Sequence, residues 1–121
     1  MARVVLSVKK LNDRNVFADA FAALTTAVDA TDGAEFVMDR RDDKYVVLVK
    51  NASSSAAKTV TVKAGNGIQG VMDLTFSVAK GSYTFVALDS GRFKNVTGAD
   101  KGKVVLKGES ADIEVAVLCL P

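Results

Sequence analysis

The chain contains no histidine, no tryptophan and a single cysteine among its 121 residues. Histidine is the commonest general base and metal ligand, so its absence removes histidine-based triads and makes most hydrolase mechanisms hard to build. Cys119 has no partner for an internal disulfide and no histidine to activate it. Because it lies in an apolar C-terminal run, a buried and inert thiol is expected. These absences predict a protein that is not an enzyme and that folds in a reducing cytoplasm.

Long apolar runs and a basic surface are also missing. No apolar stretch approaches the ~18 residues that a membrane span requires, and the short N-terminal one ends in lysines. Neither an export signal nor a membrane segment is therefore expected. The net charge is only +2, and the two signs are interspersed, as in residues 39–44. This pattern argues against a nucleic-acid partner.

The residues that are present indicate one globular domain over residues 1–121. Hydrophobic residues make up 49% and charged residues 25% of the chain, which is close to ordinary globular composition. Short alternating or apolar segments are separated by Gly, Asn, Asp and Ser, a pattern typical of a sandwich or barrel. We predict an all-β, single-domain β-sandwich or jelly roll of about eight strands, at 4–8, 35–38, 45–49, 59–63, 74–78, 83–88, 104–106 and 113–118.

Three more specific predictions concern these segments. Residues 45–49 are continuously apolar, which favours a central strand covered on both faces. Residues 80–82 are predicted to form a tight turn at Gly81, so the segments on either side, 74–78 and 83–88, are predicted to form a hairpin. A second hairpin is predicted across residues 108–112.

Residues 16–30 are the exception to the strand pattern. Phe17, Phe21, Leu24 and Val28 follow the spacing of one helical face, Asn15 could cap the start, and Gly33 follows the end. Threonines and valines in the same segment are weak helix formers and suit an extended arm equally well. A short helix and an N-terminal arm over residues 1–30 both remain open.

Motifs that could carry chemistry have plainer interpretations. Residues 65–70 match G-x-G-x-x-G after a predicted strand, but an alternating strand follows instead of a helix, so we interpret them as a glycine-rich loop. The sequons at Asn51 and Asn95 are interpreted as turns. The aspartates of residues 29–43 lack the spacing of a calcium loop. We predict no metal and no cofactor.

A lysine cluster near the C-terminus has two interpretations. It could meet an acidic surface, or it could be a solvated strand edge, which we favour because lysine also protects exposed strands. Its members are Lys94, Lys101, Lys103 and Lys107, with Phe93 nearby.

The order of these segments resembles the small capsid-associated proteins of tailed bacteriophages. The resemblance is carried by Asp32-Gly33-Ala34-Glu35-Phe36, by the strands 45–51, 58–62 and 73–78, by the glycine-rich loop 65–70, and by Ser90-Gly91-Arg92-Phe93 before a closing hairpin. It covers most of the chain from about residue 30 and rests on strands and turns rather than on catalytic signatures. The charged stretch 39–44 and the alanine-rich stretch 16–30 depart from the pattern.

The resemblance implies a decoration or cement protein that sits on or between capsid subunits, without a cofactor. The expected partners are the major capsid protein, other virion proteins and further copies of this chain as a dimer or trimer, in a virion assembled in the host cytoplasm. The alternative is a receptor-binding or carbohydrate-binding module of a tail or fibre, although both tyrosines lie in predicted core strands. Candidate contact residues, each with core packing as the alternative, are Val4, Leu6, Phe17, Phe21, Leu24, Ile68, Gln69, Arg92 and Phe93.

Overall fold

A computed structural model describes residues 3–17 and 26–121 of the chain. This part forms nine β-strands, a 3-10 turn at Asp42–Lys44 and one turn of α-helix, α1 (Ser90–Phe93). The strands are β1 (Val4–Val5), β2 (Val8–Lys10), β3 (Ala34–Val37), β4 (Tyr45–Asn51), β5 (Lys58–Val62), β6 (Leu74–Val78), β7 (Tyr83–Val86), β8 (Lys103–Gly108) and β9 (Ile113–Cys119).

The strands form two packed sheets, which confirms the predicted all-β sandwich. The five-stranded sheet has the order β1-β3-β8-β5-β6, and the four-stranded sheet has the order β2-β9-β4-β7. Residues 26–28 run antiparallel to β9, where Ala27 bridges Glu114 and the Val28 amide donates to the Ile113 carbonyl at 3.0 Å. If this segment is counted as the first strand, the two sheets have the strand order of a jelly roll, with β1 and β2 as additions.

The core lies between the sheets and is built from alternate residues of each strand. In β4 the side chains of Tyr45, Val47 and Val49 are buried, whereas Val46 and Leu48 are only half-buried. The strand is central, between β9 and β7, as its apolar run predicts. It is not covered on both faces, because a two-layer sandwich buries only the inner face of each sheet.

Both predicted hairpins are wrong. The turn at Gly81 exists, with φ of +66°, but β6 belongs to the five-stranded sheet and β7 to the four-stranded sheet. The connection across residues 108–112 likewise passes from one sheet to the other. Alternation identifies a strand but not its partner. Instead, the neighbours in sequence that do pair are β5 and β6, with Val60 opposite Phe76.

The N-terminal region also differs from its prediction. The single strand predicted at 4–8 is divided, because β1 pairs in parallel with β3 and β2 pairs in parallel with β9. Leu6 crosses between the sheets and is buried. The helix predicted within 16–30 is absent from its described parts: residues 16 and 17 have no regular structure and residues 26–28 are extended. The remainder, residues 18–25, lies outside the described residues.

Candidate protein-binding surface

Two loops lie side by side at one end of the sandwich and are joined by hydrogen bonds. The glycine-rich loop 63–73 joins β5 to β6, and residues 87–102 join β7 to β8. The Gly65 amide donates to the Arg92 carbonyl at 2.8 Å. The Asn66 side chain adds two bonds between the loops. Its Oδ1 accepts from the Val96 amide at 2.7 Å, and its Nδ2 donates to the Thr97 carbonyl at 2.9 Å.

Arg92 anchors the returning half of the glycine-rich loop. Its Nε donates to the Met72 carbonyl at 3.0 Å, and its Nη2 donates to the Asp73 carbonyl at 3.1 Å. The guanidinium group also lies 4.8 Å from the centroid of the Phe93 ring, which is itself buried in the core. The loop is therefore connected to the packed interior through one side chain.

The glycines of the G-x-G-x-x-G pattern serve this packing. A Cβ at Gly65 would lie 2.5 Å from the Lys94 carbonyl oxygen, and a Cβ at Gly70 would collide with the Gly65 carbonyl oxygen. Strand β6 follows the loop, as the sequence predicts, so no helix N-terminus faces it. Close backbone approach explains Gly65 and Gly70 without a bound phosphate.

Residues 65–72 and 94–97, which we call the braced loop surface, present apolar side chains to solvent. Ile68 is fully exposed, Val71 and Met72 are mostly exposed, and Val96 is about half exposed. No charged residue occurs between Lys63 and Asp73. Apolar exposure and depletion of charge are the features of the core of a protein–protein interface. The hydrogen bonds hold these side chains in place before any partner binds.

The predicted contact residues fall into four groups. Ile68 and Gln69 are exposed on the braced loop surface, and Arg92 supports it from below. Phe17 is 94% exposed elsewhere, and Val4 is half-buried in β1. Leu6 and Phe93 are buried, so the structure corrects their predicted role as contact residues. Core packing, the alternative, explains both. Phe21 and Leu24 lie outside the described residues.

Three members of the surface were missed by sequence reasoning, namely Val71, Met72 and Val96. The first two carried a usable signal: apolar residues in an uncharged loop between two strands have no period-2 reason to point inward. Val96 carried none, because its loop is brought beside the glycine-rich loop by tertiary hydrogen bonds such as those to Asn66.

Other hollows in the described residues contain no comparable arrangement. The cleft of about 670 Å³ on the five-stranded sheet contains charges that neutralise one another. Glu35 there is 2.7 Å from the Lys103 ammonium, and Arg3 is 3.0 Å from Asp100. No group of three metal-ligating side chains occurs in residues 3–17 and 26–121. Cys119 is buried, as predicted.

Several carboxylates stabilise the loops in their ionised form. A hydrogen bond from Lys63, at 2.7 Å, and one from the Ala64 amide lower the pKa of Asp73. The Ser90 amide lowers the pKa of Asp42, and Lys10 together with the Tyr45 hydroxyl lowers the pKa of Asp39. Burial and the bond to Asp39 raise the pKa of Tyr45 to about 12, so its hydroxyl stays protonated as a donor.

We expect the thermal unfolding midpoint to fall when the pH is lowered below the ordinary aspartate value of 3.8. A carboxyl whose pKa is lower in the folded state contributes stability above its unfolded pKa and loses it as the pH falls through the folded pKa. Calorimetry between pH 6 and pH 2 measures the effect. The variant Asp73→Asn should show a smaller fall than the parent protein, and an equal fall would contradict the assignment to Asp73.

In the described part of the chain, no helix is long and apolar enough to cross a membrane. No family model, curated protein or solved structure matches the chain.

Proposed function

We propose that the protein is a non-enzymatic structural protein of a tailed-phage virion, which binds neighbouring capsid subunits as a decoration or cement protein and so stabilises the shell. The observation that supports this function most directly is the braced loop surface, which keeps exposed Ile68, Val71 and Met72 in a fixed arrangement. The segment order described above adds the resemblance to capsid-associated proteins, and the sandwich fits that resemblance.

A prearranged surface suits a cement protein for an energetic reason. Association costs free energy for every loop and side chain that it must order, and the braced loops have little order left to gain. A shell also presents its binding sites many times, so modest affinity for each contact adds up through multivalency if one molecule or oligomer spans several subunits. Chemistry plays no part in this function.

Self-association belongs to the same proposal. Phe85 is 76% exposed on β7, an edge strand of the four-stranded sheet, and Phe17 is almost fully exposed near an apolar hollow that includes Leu11 and Leu120. Apolar side chains of this size on a small domain are typical of contacts with further protein. A dimer or trimer would cover them.

The test uses empty shells assembled from the major capsid protein encoded beside this chain. We expect the purified protein to sediment with the shells to a saturating stoichiometry and to raise their melting temperature in calorimetry. A shell protein from an unrelated phage is the control. Absence of a neighbouring capsid gene, or absence of saturable binding, would overturn the proposed function.

One observation favours the alternative function, a receptor-binding or carbohydrate-binding module of a tail or fibre. Tyr83 is exposed and lies on the same face of β7 as Phe85, whereas the other tyrosine, Tyr45, is buried. The prediction that both tyrosines lie in the core was therefore wrong for Tyr83. Aromatic rings on one face can stack against sugars. Saturable binding on a glycan array that is lost in Tyr83→Ala would favour this alternative.

A further inference from the structure

The charged side chains around the braced loop surface differ in whether they bind other groups of the chain. Three neighbouring carboxylates have partners within the chain: Asp73 binds Lys63 at 2.7 Å, Asp89 accepts from the Gly91 amide at 2.8 Å, and Asp42 accepts from the Ser90 amide at 3.0 Å. Negative charge beside the surface is therefore committed to holding the loops.

Two lysines at the same surface, Lys94 within it and Lys101 beside it, are not used in this way. Residues 95–103 form a bonded loop, in which the Asn95 amide donates to the Lys103 carbonyl at 3.0 Å and the Gly102 amide donates to the Asn95 carbonyl at 2.7 Å. Because Gly102 is bonded to Asn95, its neighbour Lys101 lies close to the segment that contains Lys94 and Val96. Among the residues that the structure describes, neither ammonium group has a hydrogen bond or an ion pair.

The four lysines of the C-terminal cluster therefore have different surroundings in the structure. The Lys103 ammonium is 2.7 Å from Glu35 and is neutralised. Lys107 is exposed near the other end of β8, beside Gly33. Lys94 and Lys101 remain as uncompensated positive charge next to the exposed apolar side chains of the loops.

We propose that the braced loop surface docks into an apolar depression of a partner protein whose rim carries carboxylates. Ile68 enters the depression, and Lys94 and Lys101 meet the acidic rim. Apolar anchors at the centre with charges at the edge are the usual anatomy of a protein interface. The identity of this partner as the major capsid subunit rests on the proposed function.

The two parts of the surface should affect binding differently. Full burial of one aliphatic side chain corresponds to about a 10- to 100-fold change in affinity. Charges at a rim mainly change the association rate, and salt screens them because the Debye length falls to ~3 Å at 1 M. Loss of Ile68 should therefore weaken binding at every salt concentration, whereas reversal of the lysines should weaken it chiefly at low salt.

The experiment measures binding of the full-length protein to the shells described above, by surface plasmon resonance at 50 mM and 500 mM NaCl. Ile68→Ser is compared with Val5→Ser, which removes an apolar side chain that is 71% exposed on β1. The double variant Lys94→Glu/Lys101→Glu is compared with Lys80→Glu/Lys107→Glu, which makes the same charge change at exposed positions elsewhere. All four lysine side chains are outside the core, so both double variants should keep the melting temperature of the parent protein.

We expect Ile68→Ser to raise Kd about 10- to 100-fold at both salt concentrations, and the Lys94/Lys101 variant to lower the association rate about tenfold at 50 mM and little at 500 mM. Both control variants should bind like the parent protein. If the parent binds shells and the test variants bind equally well, this inference fails and the proposed function stands. If the parent does not bind shells, the proposed function fails and the inference falls with it. If Ile68→Ser changes only self-association in light scattering, the occupant is a second copy and the inference is overturned.

Discussion

Removal of residues 1–30 is expected to unfold the protein rather than merely to free it from its partners. The deleted part contains two buried aliphatic side chains, Leu6 at 6% exposure and Val28 at 2%. It also contains β1 and β2, each of which forms one edge of its sheet. An N-terminal arm that only serves attachment would not contribute to both the core and the sheets.

Backbone pairing adds to the loss. Val28 donates to the Ile113 carbonyl at 3.0 Å, Val115 donates to the Thr26 carbonyl at 3.0 Å, and Leu11 donates to the Cys119 carbonyl at 2.9 Å. Without these residues one whole edge of β9, a strand that is almost entirely buried, would be open to water. Burial of each aliphatic side chain contributes about 1.5–3 kcal/mol and each hydrogen bond about 1 kcal/mol. Their sum approaches the whole stability of an ordinary domain, which is about 5–15 kcal/mol.

Thermal melting and light scattering of a protein that begins at Thr31 test this expectation. We expect no cooperative transition, or one shifted far below that of the full chain. Because the truncated protein could aggregate, the substitution Leu6→Ala provides a second measurement, with Val5→Ala as its exposed neighbour and control. Leu6→Ala should cost about 2–5 kcal/mol and Val5→Ala little. A truncated protein that keeps its full melting temperature would show that residues 1–30 are an independent arm.

The sandwich could be predicted from sequence because its strands carry their burial pattern locally. Val60 and Val62 alternate with threonines in β5, and the structure buries both valines. Sheet membership was not predictable in the same way. The turn at Gly81 is equally compatible with a hairpin and with a passage between sheets. What decides is the position of β4 and β5, the strands that β7 and β6 pair with, and these end 30 and 19 residues before Gly81.

The N-terminal region shows a second limit of local reasoning. Phe17 and Val28 have helical spacing, yet Val28 is extended because it completes the edge of β9, and Phe17 is exposed. Tertiary pairing outweighs a propensity that differs by only a few tenths of a kcal/mol per residue. The candidate surface was likewise predictable only in part. Ile68 could be placed on it because its loop is uncharged, whereas Phe93 was assigned to it from proximity in sequence and is buried.

Asn51 is the residue whose substitution should have the largest effect of any polar group in the core. It ends β4, is fully buried, and makes three side-chain hydrogen bonds. Nδ2 donates to the Ala56 carbonyl at 2.9 Å and to the Val78 carbonyl at 3.0 Å, and Oδ1 accepts from the Ser53 amide at 2.9 Å. Because Val78 ends β6, this amide links the four-stranded sheet to the five-stranded sheet.

Asn51→Ala is expected to lower the free energy of unfolding by about 2–6 kcal/mol, since it removes the side-chain partner of two buried backbone groups, the Ser53 amide and the Val78 carbonyl, and each such group costs about 1–3 kcal/mol. Asn95→Ala is the control: the Asn95 side chain makes a single bond, to the Lys103 carbonyl at 3.1 Å, in a partly exposed position. That change should cost about 1 kcal/mol. Urea denaturation followed by circular dichroism measures both, and equal costs would contradict the role assigned to Asn51.

Asn51→Asp separates lost hydrogen bonds from lost volume, because it keeps the shape of the side chain and removes its two donors. An ionised carboxylate would face the Ala56 and Val78 carbonyl oxygens in a buried site, so the folded-state pKa of the introduced group should be raised above its unfolded value. A raised pKa means that the stability penalty is smallest at low pH and grows as the pH rises above the unfolded value of ~3.9. The difference in unfolding free energy between parent and Asn51→Asp should therefore be larger at pH 7 than at pH 4.5, whereas the difference between parent and Asn51→Ala should be the same at both. A pH-independent difference for Asn51→Asp would show that residue 51 is solvated in the folded protein and does not join the two sheets.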